Sequence, residues 1–331
     1  MQYRTLGKTG LRVSEVSLGG LYTSSLGGGL ESARAIVHKA VSLGINYIDT
    51  APRYADSEFT LGHVLPDVEQ PLILSTKLGG RPEPFDPKSR DGLMWSVEES
   101  LKLLKRDVID MLLIHEPDRP QLFNWWKDPF KVYGPVIEVL EELKQDGVIR
   151  YTGIGGTTST QIAHLMRSGH FDVVLTAFQY SLLFREADND IFPAAEEMNM
   201  GVILGSALQQ GGLGRRYDEV VRSKPPWLAR PRQAQFLALY DLLDETGLEL
   251  PEMALRFALN NPAIHTVLIG PKTAEQVEQS VVAASRGPLP VDIMGRIDEI
   301  WRICPMRPFE EPMVLPFRNP KYFGPGMANH G

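Results

Sequence analysis

The sequence holds one cysteine, Cys304, among 331 residues. A single thiol excludes an intrachain disulfide and a thiolate zinc cluster, and it suits a reducing compartment. No apolar run approaches the roughly 18 to 20 residues that span a bilayer, and Met1 to Gly10 contains no apolar signal core. A cytoplasmic protein with no membrane partner is therefore expected. The net charge of -7 argues against a general nucleic-acid or anionic-membrane surface. The histidines are scattered, with no His/carboxylate cluster at ligand spacing, so no metal is expected. A complete G-x-G-x-x-G is also missing, and the clusters Gly27-Gly28-Gly29, Gly79-Gly80 and Gly211-Gly212 follow strand candidates as loop glycines would. These absences leave a small molecule as the default partner.

What is present is a globular balance, 43% hydrophobic and 23% charged. Tyr3 to Leu6 and Leu11 to Val16 flank Lys8-Thr9-Gly10 and read as a hairpin. Short apolar runs then recur at Val16 to Gly19, Tyr47 to Thr50, Leu72 to Thr76, Ile109 to Ile114, Tyr151 to Ile154, Val173 to Ala177, Val202 to Leu204 and Thr266 to Ile269. Helical spacing lies between them, as in Ser32 to Leu43, Leu93 to Leu104, Val136 to Lys144, Thr160 to Arg167 and Gln233 to Glu245. Eight βαβ repeats predict an α/β fold closed into a (β/α)8 TIM barrel. A doubly wound open sheet is the competing arrangement. One domain is expected over residues 1–331, with the hairpin at about 1–15, the barrel at 16–300 and an irregular tail at 305–331 whose aromatics favour packing. Glu116 to Pro135 forms a long loop carrying Trp125 and Trp126, of a length often functional in compact domains.

Barrel chemistry gathers at the C-terminal ends of strands. Asp49 closes the second barrel strand, Tyr54 lies in the loop beyond it, Lys77 follows the third and His115 the fourth. Each alone has a plain structural use, as a cap, a solvated charge or a hydrogen-bonded ring. Together they would be directed to one rim, where a proton-transfer unit is chemically coherent. A tyrosine hydroxyl titrates near 10 and needs a neighbouring positive charge to exchange protons closer to neutrality, which Lys77 can supply. Asp49 would fix Lys77, and His115 would orient a substrate oxygen.

Asp49-Thr50-Ala51-Pro52-Arg53-Tyr54, followed by Ser57-Glu58 and Leu61-Gly62, resembles the D-T-A-x-x-Y...S-E-x-x-L-G pattern of the aldo-keto reductase superfamily. Ser75-Thr76-Lys77 and Leu112-Leu113-Ile114-His115 resemble its lysine and histidine strands, and the likeness runs from Tyr3 to about Ala284. Within the superfamily the sequence is most similar to the aldose and L-galactose dehydrogenase branch. The resemblance implies an NAD(P)(H)-dependent oxidoreductase interconverting a carbonyl or aldose with an alcohol or lactone. No side chain can deliver a hydride, so a cofactor is needed, and the resemblance implies a nicotinamide, NADP(H) or NAD(H), bound without a Rossmann fold.

By the same resemblance Ser206, Leu208 and Gly211 would meet the pyrophosphate, and Gly270, Lys272, Thr273 and Gln276 the adenosine end. Thr273 would serve as a helix cap in any case. The chain departs from the family where Ser-Asn is replaced by Gly155 and Gly156, a glutamine by Ala177 with Gln179 two residues on, a stacking aromatic by Gly205 and an arginine by Gln276. Lys272 is left as the cation for a 2'-phosphate, a less specific partner than an arginine fork. Tyr22, Trp125 and Trp126 are candidates for an apolar wall facing a small carbonyl or sugar substrate. Arg53 reads as a surface or loop-fixing charge. Two other readings are a cofactor-sensing or regulatory relative with little turnover and, in another class, an aldolase using Lys77 as a Schiff-base nucleophile.

Overall fold

Tyr3–Thr5 (β1) and Arg12–Ser14 (β2) pair antiparallel with Tyr3 opposite Ser14, the predicted hairpin. The structure, a computed structural model, describes residues 1–82, 85–119, 124–128, 130–309 and 311–317. Gly7 holds φ +49° in the hairpin turn, pressed so closely on the Met200-Gly201 backbone that a Cβ would lie 2.3 Å from the Gly201 nitrogen. Leu6 and Val13 are thereby carried into the bottom of the barrel.

Val16–Gly19 (β3), Tyr47–Asp49 (β4), Ile73–Leu78 (β5), Ile109–His115 (β6), Ile149–Gly156 (β7), Val173–Ala177 (β8), Gly201–Gly205 (β9) and Thr266–Ile269 (β10) are parallel, and β10 pairs with both β9 and β3 to close the ring. The expected barrel is present. Its strands are longer than the apolar runs suggested at the functional end: Lys77 and His115 lie inside β5 and β6 rather than after them.

The helices are Gly29–Ser42 (α1), Ser57–Val64 (α2), Arg90–Leu104 (α3), Pro135–Gln145 (α4), Ser159–Met166 (α5), Ile191–Glu197 (α6), Asp218–Ser223 (α7), Arg230–Thr246 (α8), Leu250–Leu259 (α9), Ala274–Ser285 (α10) and Val291–Arg302 (α11). α1 shows why they pack: Ala33, Ile36, Val37 and Ala40 recur at helical spacing and are its buried positions. Ser89 caps α3 by accepting the Gly92 N–H, and Pro stands in the first turn of α4, α8 and α9, where no N–H is needed.

Two apolar bodies result. One lies between strands and helices, and a second fills the lumen with Leu6, Val13, Tyr47, Met111, Leu113, Val173, Leu175 and Ile203. Burying each large side chain contributes on the order of 1.5–3 kcal/mol. The lumen is a packed floor, and the chemistry sits on top of it. Of the tail, residues 311–317 pack onto the barrel through buried Leu315 and Phe317, while 318–331 lie outside the described residues.

Candidate active site

Strand periodicity builds the site. Residues two apart share a face, so Tyr47 in the lumen carries Asp49 above it, Ser75 carries Lys77 and Leu113 carries His115. The register places Asp49 beside Ser75, Lys77 beside Leu113 and His115 beside Gly155. Three ionisable residues expected from the sequence thus share one rim.

Lys77 Nζ donates to Asp49 Oδ1 at 2.8 Å, to Asp49 Oδ2 at 2.7 Å and to the Thr50 carbonyl at 2.7 Å. Both side chains are almost wholly excluded from water, at 1% and 2% exposure. Burial pulls the lysine pKa down, but Asp49 and the hydrogen bonds outweigh it and raise it above the ordinary value. An ammonium so held is not available as a Schiff-base nucleophile, which removes the support for the aldolase reading.

Ser75 Oγ donates to Asp49 Oδ1 at 2.7 Å, and the buried Tyr47 hydroxyl lies 2.8 Å from Ser75 Oγ. Because the serine's one hydrogen is directed to the carboxylate, Tyr47 is the donor to Ser75. Tyr47 and Ser75, both missed in the sequence, were within reach of it: they precede Asp49 and Lys77 by two residues on the same face.

Tyr54 sits over this pair, its ring centroid 4.8 Å from Lys77 Nζ. Its edge-to-face partner is His115, with centroids 5.8 Å apart and planes at 84°. Burial raises the Tyr54 pKa, Lys77 lowers it and Asp49 raises it, with a net upward shift. Lys77 does act in the anticipated sense, but burial prevails, so Tyr54 is a protonated phenol at neutral pH. His115 is held well below its ordinary value by burial, then by Lys77 and Arg53, and is a neutral imidazole. Its Nδ1 is buried without a hydrogen-bond partner among the described residues.

The residues between Asp49 and Gly62 are a scaffold for Tyr54. Ser57 Oγ donates to the Gly20 carbonyl at 2.8 Å and lies 2.8 Å from Thr50 Oγ1. Glu58 accepts from Thr76 Oγ1 and Arg81, each at 2.6 Å, fixing α2 to the strand that bears Lys77. At Gly62 a Cβ would lie 1.9 Å from the Leu103 carbonyl oxygen, so only glycine lets α2 approach the end of α3. Arg53 pairs with Glu116 at 3.5 Å, and Glu116 with Arg119 at 2.9 Å, consistent with a loop-fixing charge.

The glycines that depart from the expected pattern have physical reasons. Gly155 faces inward with room, a Cβ there being 3.7 Å from Leu175 Cβ. At Gly156 a Cβ would strike Ile162 Cδ1 at 2.2 Å and Asp118 Oδ1 at 2.6 Å. Asp118, also missed in the sequence, accepts the N–H groups of Thr157 and Thr158 at 2.9 and 2.6 Å. Gln179 donates to the Thr157 carbonyl at 2.5 Å and so secures the same turn. A Cβ on Gly205 would lie 3.1 Å from Leu175 Cδ2, leaving an aromatic there little space.

Beyond β9 the backbone is left-handed at Ser206, Gln209 and Gln210, with φ of 55°, 49° and 48°, followed by Gly211. Such turns form concave, anion-accepting backbone. Half-buried Leu208 lies within this turn. Beyond β10, Thr273 Oγ1 accepts the Gln276 N–H at 3.3 Å while Gln276 Oε1 accepts the Lys272 N–H at 2.7 Å, a reciprocal cap on α10. Lys272 Nζ stands 4.5 Å from the Tyr22 ring, which also packs on Gly270. Tyr22 therefore groups with the residues at the end of β10. Trp125 is fully buried and meets Phe85 edge-on, and Trp126 donates to the Pro117 carbonyl at 3.4 Å.

The fold is thus a parallel barrel with a buried Asp–Lys pair, a tyrosine and a neutral histidine on one rim, a set of groups able to hold and pass a proton. The Aldo/keto reductase family model matches residues 20–302, and the chain belongs to that family. It is accordingly an NAD(P)-dependent oxidoreductase. L-galactose dehydrogenase of Arabidopsis thaliana is 30% identical over 86% of this chain and 88% of its own length. D-threo-aldose 1-dehydrogenase of a Pseudomonas species is 26% identical over 77% and 84%. Among solved structures, the aldo-keto reductase AKR11C1 from Bacillus halodurans (holo form) superposes with a TM-score of 0.71 at 28% identity, covering 92% of this chain and 98% of that one. No described helix is long and apolar enough to cross a membrane.

Proposed function

We propose that the chain interconverts a small carbonyl compound or aldose with the corresponding alcohol or lactone, with Tyr54 as general acid and base. The observation that carries this reading is the Tyr54 ring seated 4.8 Å from an ammonium that is itself locked onto Asp49. In reduction the Tyr54 hydroxyl donates its proton to the substrate oxygen, and Lys77 stabilises the phenolate left behind. In oxidation the same oxygen takes the proton back. His115, a neutral imidazole on the same rim as Tyr54, directs the substrate oxygen by hydrogen bonding without competing as an acid.

The residues fit a dinucleotide. Gly155 puts no side chain beside His115, and the left-handed Ser206–Gly211 turn suits a pyrophosphate. Ser206, Leu208 and Gly211 would hold the pyrophosphate, Gly155, Gly156 and Gln179 the nicotinamide end, and Gly270, Lys272, Thr273 and Gln276 the adenosine. A bound nicotinamide supplies or accepts the hydride. NAD(H) is the preferred form in this reading, because Gln276 is engaged in the cap through its side chain and Glu275 places a negative charge in the same turn. Tyr22 walls the cofactor at Lys272, and the burial of Trp125 and Trp126 suits holding the loop after His115 in place.

Two relatives, an L-galactose dehydrogenase and a D-threo-aldose 1-dehydrogenase, support a sugar substrate. Turnover of NAD(H) and NADP(H) with a panel of aldoses and small aldehydes tests the reading. Sugar-dependent NAD reduction that disappears in Tyr54→Phe is expected. Tight nucleotide binding with no turnover across the panel would overturn it in favour of a sensing role.

A further inference from the structure

The segment that follows α11 is tied down by one side chain. Arg232, on α8 and wholly buried, donates through Nε to Glu311 Oε1 at 2.7 Å, through Nη1 to the Cys304 carbonyl at 3.2 Å and through Nη2 to the Met306 carbonyl at 3.1 Å. Arg307 donates to the Pro312 carbonyl at 2.6 Å, folding the segment back on itself. A charged group with no exposure that satisfies this many main-chain acceptors fixes the path of the chain rather than meeting solvent.

That path ends on the turn after β9. Leu315 packs on Gly212, its Cδ1 3.3 Å from where a Cβ would stand on that glycine. Phe317 stacks on Tyr217 with centroids 4.4 Å apart and planes 15° from parallel, and it meets Trp227 and Phe236 edge-on at 5.1 and 5.2 Å. Tyr217 in turn donates its hydroxyl to the Gly211 carbonyl at 3.0 Å, and its N–H goes to the Tyr240 hydroxyl at 3.0 Å. A continuous path of contact runs from Phe317 through Tyr217 to Gly211, the end of the left-handed turn.

We propose that Phe317 is a positioning residue for the dinucleotide: through Tyr217 it holds the Ser206–Gly211 turn in the shape that grips the pyrophosphate. The inference rests on the reading of that turn as part of the cofactor site. It makes the C-terminal segment part of nucleotide binding without contact with the reacting atoms. Ser206, Gln209 and Gln210 hold the left-handed backbone that non-glycine residues disfavour, and Gly211 adds conformational freedom, so support from outside is what keeps the turn in this shape.

The test is nucleotide release in full-length Phe317→Ala, followed by stopped-flow fluorescence with NADH and NADPH, beside Tyr217→Phe, the conservative Phe317→Tyr, and Phe309→Ala as a control. Phe309 belongs to the same segment and is 87% exposed. Phe317→Ala should raise the Kd and KM for nucleotide about tenfold, mostly through faster release, while kcat at saturating nucleotide is maintained. Tyr217→Phe should move in the same direction, Phe317→Tyr should retain wild-type release, and Phe309→Ala should change nothing. Amide exchange should quicken in residues 206–217 and stay unchanged in the barrel strands. A folded Phe317→Ala with release and Kd within twofold of wild type would overturn the proposal, as would faster exchange spread over the whole barrel. Wild-type protein that binds neither nucleotide would instead remove the reading of the turn, and the proposal with it.

Discussion

Lys77 and Asp49 face each other across adjacent strands with one ammonium bridging both carboxylate oxygens, at 2.8 and 2.7 Å, in a place water does not reach. Neither charge is tolerable there without the other. Removing one partner of such a pair leaves an uncompensated ion and costs about 3–5 kcal/mol, whereas removing both charges together is close to neutral. Lys77→Met should therefore lower unfolding stability by roughly that amount. The double variant Lys77→Met, Asp49→Asn should recover most of it while remaining without turnover. Urea denaturation and steady-state rates on the three proteins check this. A double variant as unstable as the single one would show that the pair is not coupled as the geometry requires.

In the proposed mechanism Tyr54 connects that pair to the reaction direction. Its pKa is raised by burial in spite of Lys77, so the proton donor needed for reduction is present throughout neutral pH, and kcat for reduction should be flat from pH 6 to 9, about one unit below the ordinary tyrosine value of about 10. Oxidation needs the deprotonated oxygen, so its kcat should climb with pH over the same interval. Tyr54→Phe should lose at least about a hundredfold in both directions, the usual contribution of a positioned acid or base, with nucleotide Kd nearly unchanged. Identical pH profiles for the two directions would assign the proton transfer to another group.

How far the site could be read in advance follows from what each residue needs. Asp49, Lys77 and His115 were legible because parallel strands of a barrel all end on one rim, so order along the chain becomes proximity in space. The eight strands were legible for the same reason, as apolar runs too short for helices. The strand ends at Lys77 and His115 were not, because a polar residue closing an apolar run looks like a boundary when hydrogen bonding continues through it. Asp118 was invisible, because its role depends on Gly156 of another strand leaving its place empty, a contact over 38 residues that no local pattern records. The clamp of Arg232 on Glu311 is of the same kind: a lone arginine on α8 gives no sign that its partner stands near the far end of the chain.

His115 should make stability depend on pH. Unfolding releases an imidazole with a pKa near 6.5, while the native ring is held well below that by burial and by the charges of Lys77 and Arg53. Above about pH 6.5 neither state binds the proton, and the native state keeps its full stability. As pH falls below that value only the unfolded chain takes it up, and stability is lost at up to about 1.4 kcal/mol per unit until the native pKa is reached. His265, shifted down by burial and Arg4, adds a loss of the same sign. His115→Gln should remove its own share, so that the drop in stability between pH 7 and 5.5 is smaller than in wild type. Denaturation curves at the two pH values decide it; equal drops would mean that the ring takes up its proton as readily in the native state as in the unfolded chain.

Gln276 is where nucleotide preference should be adjustable. Its side-chain carbonyl accepts the Lys272 N–H, and its own N–H is taken by Thr273, so the residue closes the first turn of α10 from both sides. An arginine there gives up the carbonyl, which should cost about 0.5–2 kcal/mol of stability as the loss of a cap does. It brings in exchange a fork of donors suited to a phosphate, in a turn where Lys272 is otherwise directed over the Tyr22 ring. Gln276→Arg should tighten NADP(H) by about tenfold with little change for NAD(H), since a charge-assisted bond to a phosphate adds roughly 1.5–3 kcal/mol before the ordering of a long side chain is subtracted. Pairing it with Glu275→Gln should add to the effect by removing the negative charge next to it. Parallel Kd measurements for both nucleotides on the single and double variants test this. A gain shared equally by NAD(H) and NADP(H) would place the adenosine 2'-position somewhere other than at the start of α10.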